Sequence, residues 1–188
     1  GDLLVSSTEV LDLDEDLYRE GKWVVRLYAE AFSPNSPRWM QGSKELVQTE
    51  SEDDIVVGLS EHIRESLVSE DQLIIWGSGG TLRAIGENNG FELTTLGIDA
   101  TMGSEQVGTD LDESGILSIL RSHDGPTTLL LSPMGGQGFL IGRGNLQLSP
   151  AVLESIGINN ILGVLTPAKL LTVRKLRIET GDEGLDER

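Results

Sequence analysis

The chain has 188 residues, 38% of them hydrophobic and 4% aromatic, and carries a formal charge of -17, from 31 acidic against 14 basic residues. That length suits one sizeable core, or a core with a small appendage, and the lack of cysteine excludes disulfides, zinc-thiolate sites and thiol catalysis. The acid excess argues against nucleic acid or an anionic membrane as partner, and no apolar run approaches the roughly 20 residues of a membrane helix.

In chain order, Thr8 to Leu13 and Lys22 to Ala31 alternate as strands around a turn at Arg19 to Gly21. This predicts a β-hairpin whose exposed edge and tip carry Asp12, Asp14, Glu15 and Asp16. Pro34 and Pro37 break the pattern from Phe32 to Ser43, which reads as a loop. Asp53 to Val68 repeats Ile55, Leu59, Ile63 and Leu67 at helical spacing, with Ser51 or Asp53 available to cap it. Gln72 to Trp76 is an apolar strand, and Leu82 to Asn89 a helix stopped by Asn88, Asn89 and Gly90.

Leu93 to Ile98 reads as a second strand ending at Asp99, Asp112 to Ser122 as a helix, and Thr127 to Leu131 as a third strand. Phe139 to Ile141 is a short strand inside a glycine-rich loop. Ser149-Pro150 and Thr166-Pro167 are cap-then-proline helix starts on either side of a strand at Asn160 to Leu165. Leu176 to Glu179 closes the order, and Gly181 to Arg188 is a frayed, charged tail. Alternating strands and helices imply an α/β fold, a mostly parallel sheet with helices on both faces behind the N-terminal hairpin. The expected division is a hairpin and loop, 1–45, packed on a main domain, 46–180, with an acidic tail, 181–188.

Ligands of such sheets collect beyond the C-terminal ends of the strands. Two glycine-rich stretches fall there. Gly77, Ser78, Gly79, Gly80 and Thr81 join a strand to a helix start, the geometry of a phosphate cradle, although no lysine follows as in a Walker loop. The second stretch, SPMGGQGFLIGRGNLQLSP from Ser132 to Pro150, contains Gly135, Gly136, Gly138, Gly142 and Gly144, with Arg143 as its only ionic side chain. Bare backbone amides and the positive end of a helix dipole suit an anion. Between Gly125 and Val173 the charged residues are Arg143, Glu154 and Lys169, and from Gln72 to Gly86 only Arg83, so both rims are locally positive in an acidic chain.

Asp99 could act as a base, hold a ribose hydroxyl or a metal ion, or cap the next turn. Gln137, Asn145 and Gln147 could bond a ligand's polar edge or satisfy their own loop. His62 and His123 read as surface residues, and Asp12 to Asp16 as a solvated edge rather than a Mg²⁺ site. Only four basic residues are lysines (Lys22, Lys44, Lys169 and Lys175), a composition fitting a cytoplasm of very high salt, with an ordinary acidic surface as the alternative. The acidic opening does not resemble a signal peptide, so the expected location is cytoplasmic. The start at Gly1 suggests a processed or excised segment.

The order GSGGTLRAI (Gly77 to Ile85), LGID (Leu96 to Asp99), the central string from Ser132 to Pro150, TPAKL (Thr166 to Leu170) and ETGD (Glu179 to Asp182) resembles the C-terminal region of the polyphosphate- or ATP-dependent NAD kinase (ATP-NAD kinase-like) family. EVLDLDEDLYREG near the start, Met40-Gln41 and Lys44 also fit, so the likeness spans nearly the whole chain. Ser78 and Gly80 depart from the family's usual Pro and Thr. The Gly-Gly-Asp-Gly-Thr motif of the family's N-terminal domain, whose Asp activates the ribose 2′-hydroxyl, does not occur in this sequence.

The resemblance implies a C-terminal domain acting with an N-terminal kinase domain of a parent protein, unable to phosphorylate NAD by itself. It implies NAD and ATP or polyphosphate as ligands. Taken with the residues themselves, the expected seat of the nucleotide or phosphate is the glycine loops, with Lys169 and Asp99 adding charge and orientation; Mg²⁺ and a homo-oligomer are compatible with this. A sugar-phosphate isomerase-type domain with Asp99 as proton-transfer base, and a domain serving only oligomer contacts, are the alternatives.

Overall fold

The computed structural model describes residues 4–19, 25–35, 52–133, 138–142, 144–173 and 175–187. The chain divides into two compact units, Gly1–Val47 and Gln48–Arg188.

In the first unit, β1 (Leu4–Leu13) pairs antiparallel with β2 (Val25–Asn35). The hairpin forms as its alternation predicts, with two differences. Strand β2 continues into the segment expected to be loop, and Pro34 sits opposite Val5. In a two-stranded ribbon each strand is an edge, where proline is tolerated at positions whose N–H side faces away from the partner strand. The acidic tip folds into a short helix, α1 (Glu15–Arg19), because the Asp14 carboxylate accepts the Leu17 amide at 3.1 Å and closes its first turn.

The second unit holds α2 (Glu52–Leu67), β3 (Leu73–Trp76), α3 (Gly80–Asn88), β4 (Asp99–Met102), β5 (Glu105–Gly108), α4 (Glu113–Ser122) and β6 (Thr127–Leu131). These are followed by β7 (Phe139–Ile141), α5 (Pro150–Ile156), β8 (Ile161–Gly163), α6 (Pro167–Thr172), β9 (Arg177–Ile178) and α7 (Glu183–Asp186). Five strands form one sheet in the order β5-β4-β3-β6-β8. Its core, β3, β6 and β8, is parallel, while β4 and β5 run antiparallel.

Side chains alternate across this sheet and so build two cores. Leu73, Ile75, Leu129 and Leu131 face α4 and α5 through Ile116, Val152, Leu153 and Ile156. Ile74, Trp76 and Leu130 face α2 and α3 through Ile63, Leu82 and Ile85. Helices therefore cover both faces, as the continuous apolar strands predict. Ser60 on α2 ties the two helices of one face together. Asn88 Nδ2 donates to its hydroxyl at 3.3 Å and Asn89 Nδ2 to its carbonyl at 3.2 Å. No helix of the described residues is long and apolar enough to cross a membrane.

Three sequence expectations change. Leu93 to Ile98 is not a strand: its apolar residues are plugs, Leu93 in one core and Ile98 in the other, joined by an irregular crossover. The strand begins instead at Asp99 and turns back through Gly103 (φ +56°) into β5. A short apolar run does not reveal this from spacing alone. Leu176 to Glu179 does not close the main sheet, because β9 pairs with β7 in a separate two-stranded ribbon. The tail is not simply frayed: Asp182 caps α7, Asp186 accepts the Thr180 amide at 2.9 Å, and Leu185 packs on the first core.

Gly58 lies exposed in α2 with nothing within 4 Å of where a Cβ would stand. Gly58→Ala is expected to raise stability by about 0.5–1 kcal/mol through helix propensity. Thr101→Val, which removes the acceptor of buried Trp76 Nε1 at 2.9 Å, is expected to lower it by about 1–3 kcal/mol. Denaturant midpoints measure both.

Candidate functional site at the ends of β3 and β6

β3 and β6 end at the same edge of the sheet, and both glycine-rich stretches leave from it. The Gly77 amide donates to Leu130 O at 2.8 Å, carrying the ladder one residue past Trp76. A Cβ on Gly77 would stand 2.8 Å from Leu131 Cδ2 and 2.9 Å from Leu130 O, so the chain leaves the strand here only as glycine. Ser78 follows, 2% exposed, and its hydroxyl donates a long bond, 3.5 Å, to Gly144 O. Two segments 66 residues apart in the chain thus meet at this rim.

Gly79 then adopts φ 125° and ψ 149°, a conformation close to glycine's own. Its amide donates to Thr95 O at 2.8 Å, and α3 starts at the next residue. As N-cap, Gly79 offers no side chain to the first turn. The starts of α4, α5 and α6 are closed by Asp112, Ser149 and Thr166. The Gly115 amide on Asp112 holds that carboxyl below its ordinary value of 3.8. A side-chain cap contributes about 0.5–2 kcal/mol; α3 forgoes it where its amide groups meet the rim. Gly80 is exposed there and Thr81 half-buried.

The second stretch opens at Ser132 and Pro133, both buried. Lys169 reaches it from the first turn of α6: Nζ donates to Ser132 Oγ at 2.9 Å and to Pro133 O at 3.3 Å. Burial lowers the Lys169 pKa from its ordinary 10.5, and the negative charge of Glu52 opposes the shift. Gly135, Gly136, Gln137 and Arg143 lie outside the described residues. Gly138 is required by packing, because a Cβ there would collide with Lys175 O, and its φ is +78°. Asn145 is 3% exposed: Oδ1 accepts the Gly142 amide at 2.8 Å and Nδ2 donates to Leu140 O at 2.7 Å. Its amide thus serves its own loop. Gln147 is half-buried.

Asp99 lies opposite Trp76, at the rim where the sequence placed it, although it begins a strand rather than ending one. It is 1% exposed. Oδ2 accepts the Thr94 amide at 2.6 Å and the Thr94 hydroxyl at 2.8 Å, and Oδ1 accepts the Asp110 amide at 2.9 Å. The positive count at the first rim also changes, since Arg83 pairs with Glu87 at 2.9 Å and donates to Thr95 Oγ1 at 3.1 Å. His62 is exposed beside Ser66, and His123 Nε2 lies 3.2 Å from Pro126 O. Among the described residues no group of three or more His, Asp or Glu is placed to hold a metal ion. Sequence reasoning missed Thr94, Thr95 and Ser132, whose only signal was a polar pair inside an apolar run and a serine at a strand end.

These elements define an α/β domain with glycine turns gathered at the carboxyl ends of its parallel strands. The ATP-NAD kinase C-terminal domain model matches residues 44–181, and the chain belongs to that family. No curated protein and no solved structure gives a significant match.

Lys169 ties its charge state to stability. With its pKa lowered on folding, the unfolded chain holds more protons in the alkaline window below 10.5, so stability should rise with pH there. Denaturation of wild type and Lys169→Met across that window should give a difference that grows with pH in favour of wild type; parallel curves would contradict it.

Proposed function

We propose that this chain is the ligand-holding C-terminal domain of an NAD kinase-type phosphotransferase, which makes NADP from NAD with ATP or polyphosphate as donor. One observation carries the reading: the uncapped start of α3 and the loop at Gly144 meet through Ser78 at the end of the parallel core. Family membership supports it. The fit to an anionic group rests on the first-turn amides of Gly80 and Thr81, on a Gly79 without a Cβ, and on the Lys169 ammonium at the mouth of the second loop.

Phosphoryl transfer needs positioning, and stabilisation of negative charge spread over the transferred group. In this reading Gly77, Ser78, Gly79, Gly80 and Thr81 hold one anionic group by backbone donors. Gly135, Gly136, Gln137, Gly138, Arg143, Gly144 and Asn145 belong to the stretch assigned to a second anionic group, and Lys169 adds positive charge beside Ser132 and Pro133. Mg²⁺, where used, arrives on the nucleotide phosphates. The base for the ribose hydroxyl comes from a Gly-Gly-Asp-Gly-Thr domain, the partner of this one, and the setting is a salt-rich cytoplasm.

Calorimetry in molar KCl with NAD, ATP, polyphosphate and ribose 5-phosphate tests the reading. Wild type should bind NAD or ATP. Thr81→Glu, which favours the helix start but sets a negative charge against the ligand, should weaken binding about ten-fold without loss of stability. Binding of ribose 5-phosphate alone, or Thr81→Glu binding as tightly as wild type, would overturn it.

A further inference from the structure

The buried carboxylate at the rim is committed to the backbone around it, and those bonds lead to the first glycine turn. Asp99 Oδ2 holds Thr94 twice, by amide and hydroxyl, and Oδ1 holds the Asp110 amide from the other side. Asp110 takes a positive φ of 47°, rare outside glycine, at the point where its amide meets this carboxylate. Gly97 leaves room for the cluster: a Cβ there would stand 3.0 Å from Asp110 Cα and collide with Asp110 Oδ1. Fixing Thr94 fixes the next carbonyl, Thr95 O, which accepts the Gly79 amide at 2.8 Å. Arg83, one turn into α3, donates to the Thr95 hydroxyl at 3.1 Å and so ties the same residue to the helix that the turn opens.

We propose that Asp99 is a positioning residue for the proposed ligand end. It holds Thr94 and Thr95 so that Thr95 O takes up the Gly79 amide and keeps the turn open in its glycine-only conformation, with the first amides of α3 directed at the ligand. The inference rests on the ligand reading for its purpose and on the hydrogen-bond chain alone for its geometry. A backbone conformation of this kind persists only where its surroundings over-determine it, and here they do so through a carboxylate three contacts removed. Asp99 reaches the ligand through Thr94 and Thr95, not by touching it.

The test is residue-resolved amide hydrogen exchange on the ligand-free chain, comparing wild type with Thr94→Val, Thr94→Ser and Asp99→Asn. Thr94→Val removes the hydroxyl, and Thr94→Ser keeps it. Exchange at the Gly79 amide should be about ten-fold faster in Thr94→Val and Asp99→Asn, the effect of losing one buried hydrogen bond. It should return to the wild-type rate in Thr94→Ser, with the amides of Leu129 to Leu131 unchanged throughout. Unchanged Gly79 exchange in Thr94→Val overturns the proposal, as does equal acceleration across β6, which would mark a role in global stability. Should Asp99→Asn fail to fold, the Thr94 pair still decides. No ligand enters this experiment, so failure to bind nucleotide sinks the functional reading without touching the relay, and the converse also holds.

Discussion

The close run of β3 against β6 governs the site. Gly77 continues that pairing past the last side chain of β3, and the contact with Leu130 O and Leu131 leaves no room for a Cβ. Everything at the rim follows from this approach. It brings the end of β3 beside the end of β6, from which the longer loop departs, and lets Ser78 reach Gly144 O. Helices cover both faces of these strands among the described residues, and the two glycine-rich stretches leave beyond the carboxyl edge.

Much of this was legible from residue spacing. The helical stripe from Ile55 to Leu67 and the cap-then-proline pairs at Ser149 and Thr166 all correspond to observed elements. So does the stop at Asn89-Gly90, where Gly90 takes a φ of +86°. These signals are local, since each depends on residues within one or two turns. The resemblance to NAD kinases also agrees with the family match. What spacing did not reveal depends on partners distant in the chain. The run from Leu93 to Ile98 has the composition of a strand, yet its residues are divided between two cores by a crossover whose course Asp99 and Asp110 determine. The short strand after Lys175 found its partner in β7, because Gly138 lets the two backbones approach.

Charge counting was informative in part. The few charges between Gly125 and Val173 do include a lysine held at the rim. Arg83, counted as the cation of the first turn, instead meets Glu87 along its own helix, one residue beyond the window in which it stood alone. The polar residues of the loops behave similarly. Asn145, a natural ligand contact by residue type, spends its amide on Gly142 and Leu140, and this internal use fixes the shape of the loop. A polar side chain in a tight glycine segment has backbone neighbours closer than any solute.

Helix α2 has a part beyond covering apolar surface. Its register against α3 is set by Ser60 with Asn88 and Asn89, and its first residue, Glu52, is the acid whose field favours the protonated state of Lys169. The contacts that hold α2 on α3 therefore also bear on how readily the Lys169 ammonium keeps its proton. A helix of the outer layer thus contributes to the charge balance at the mouth of the second glycine-rich stretch.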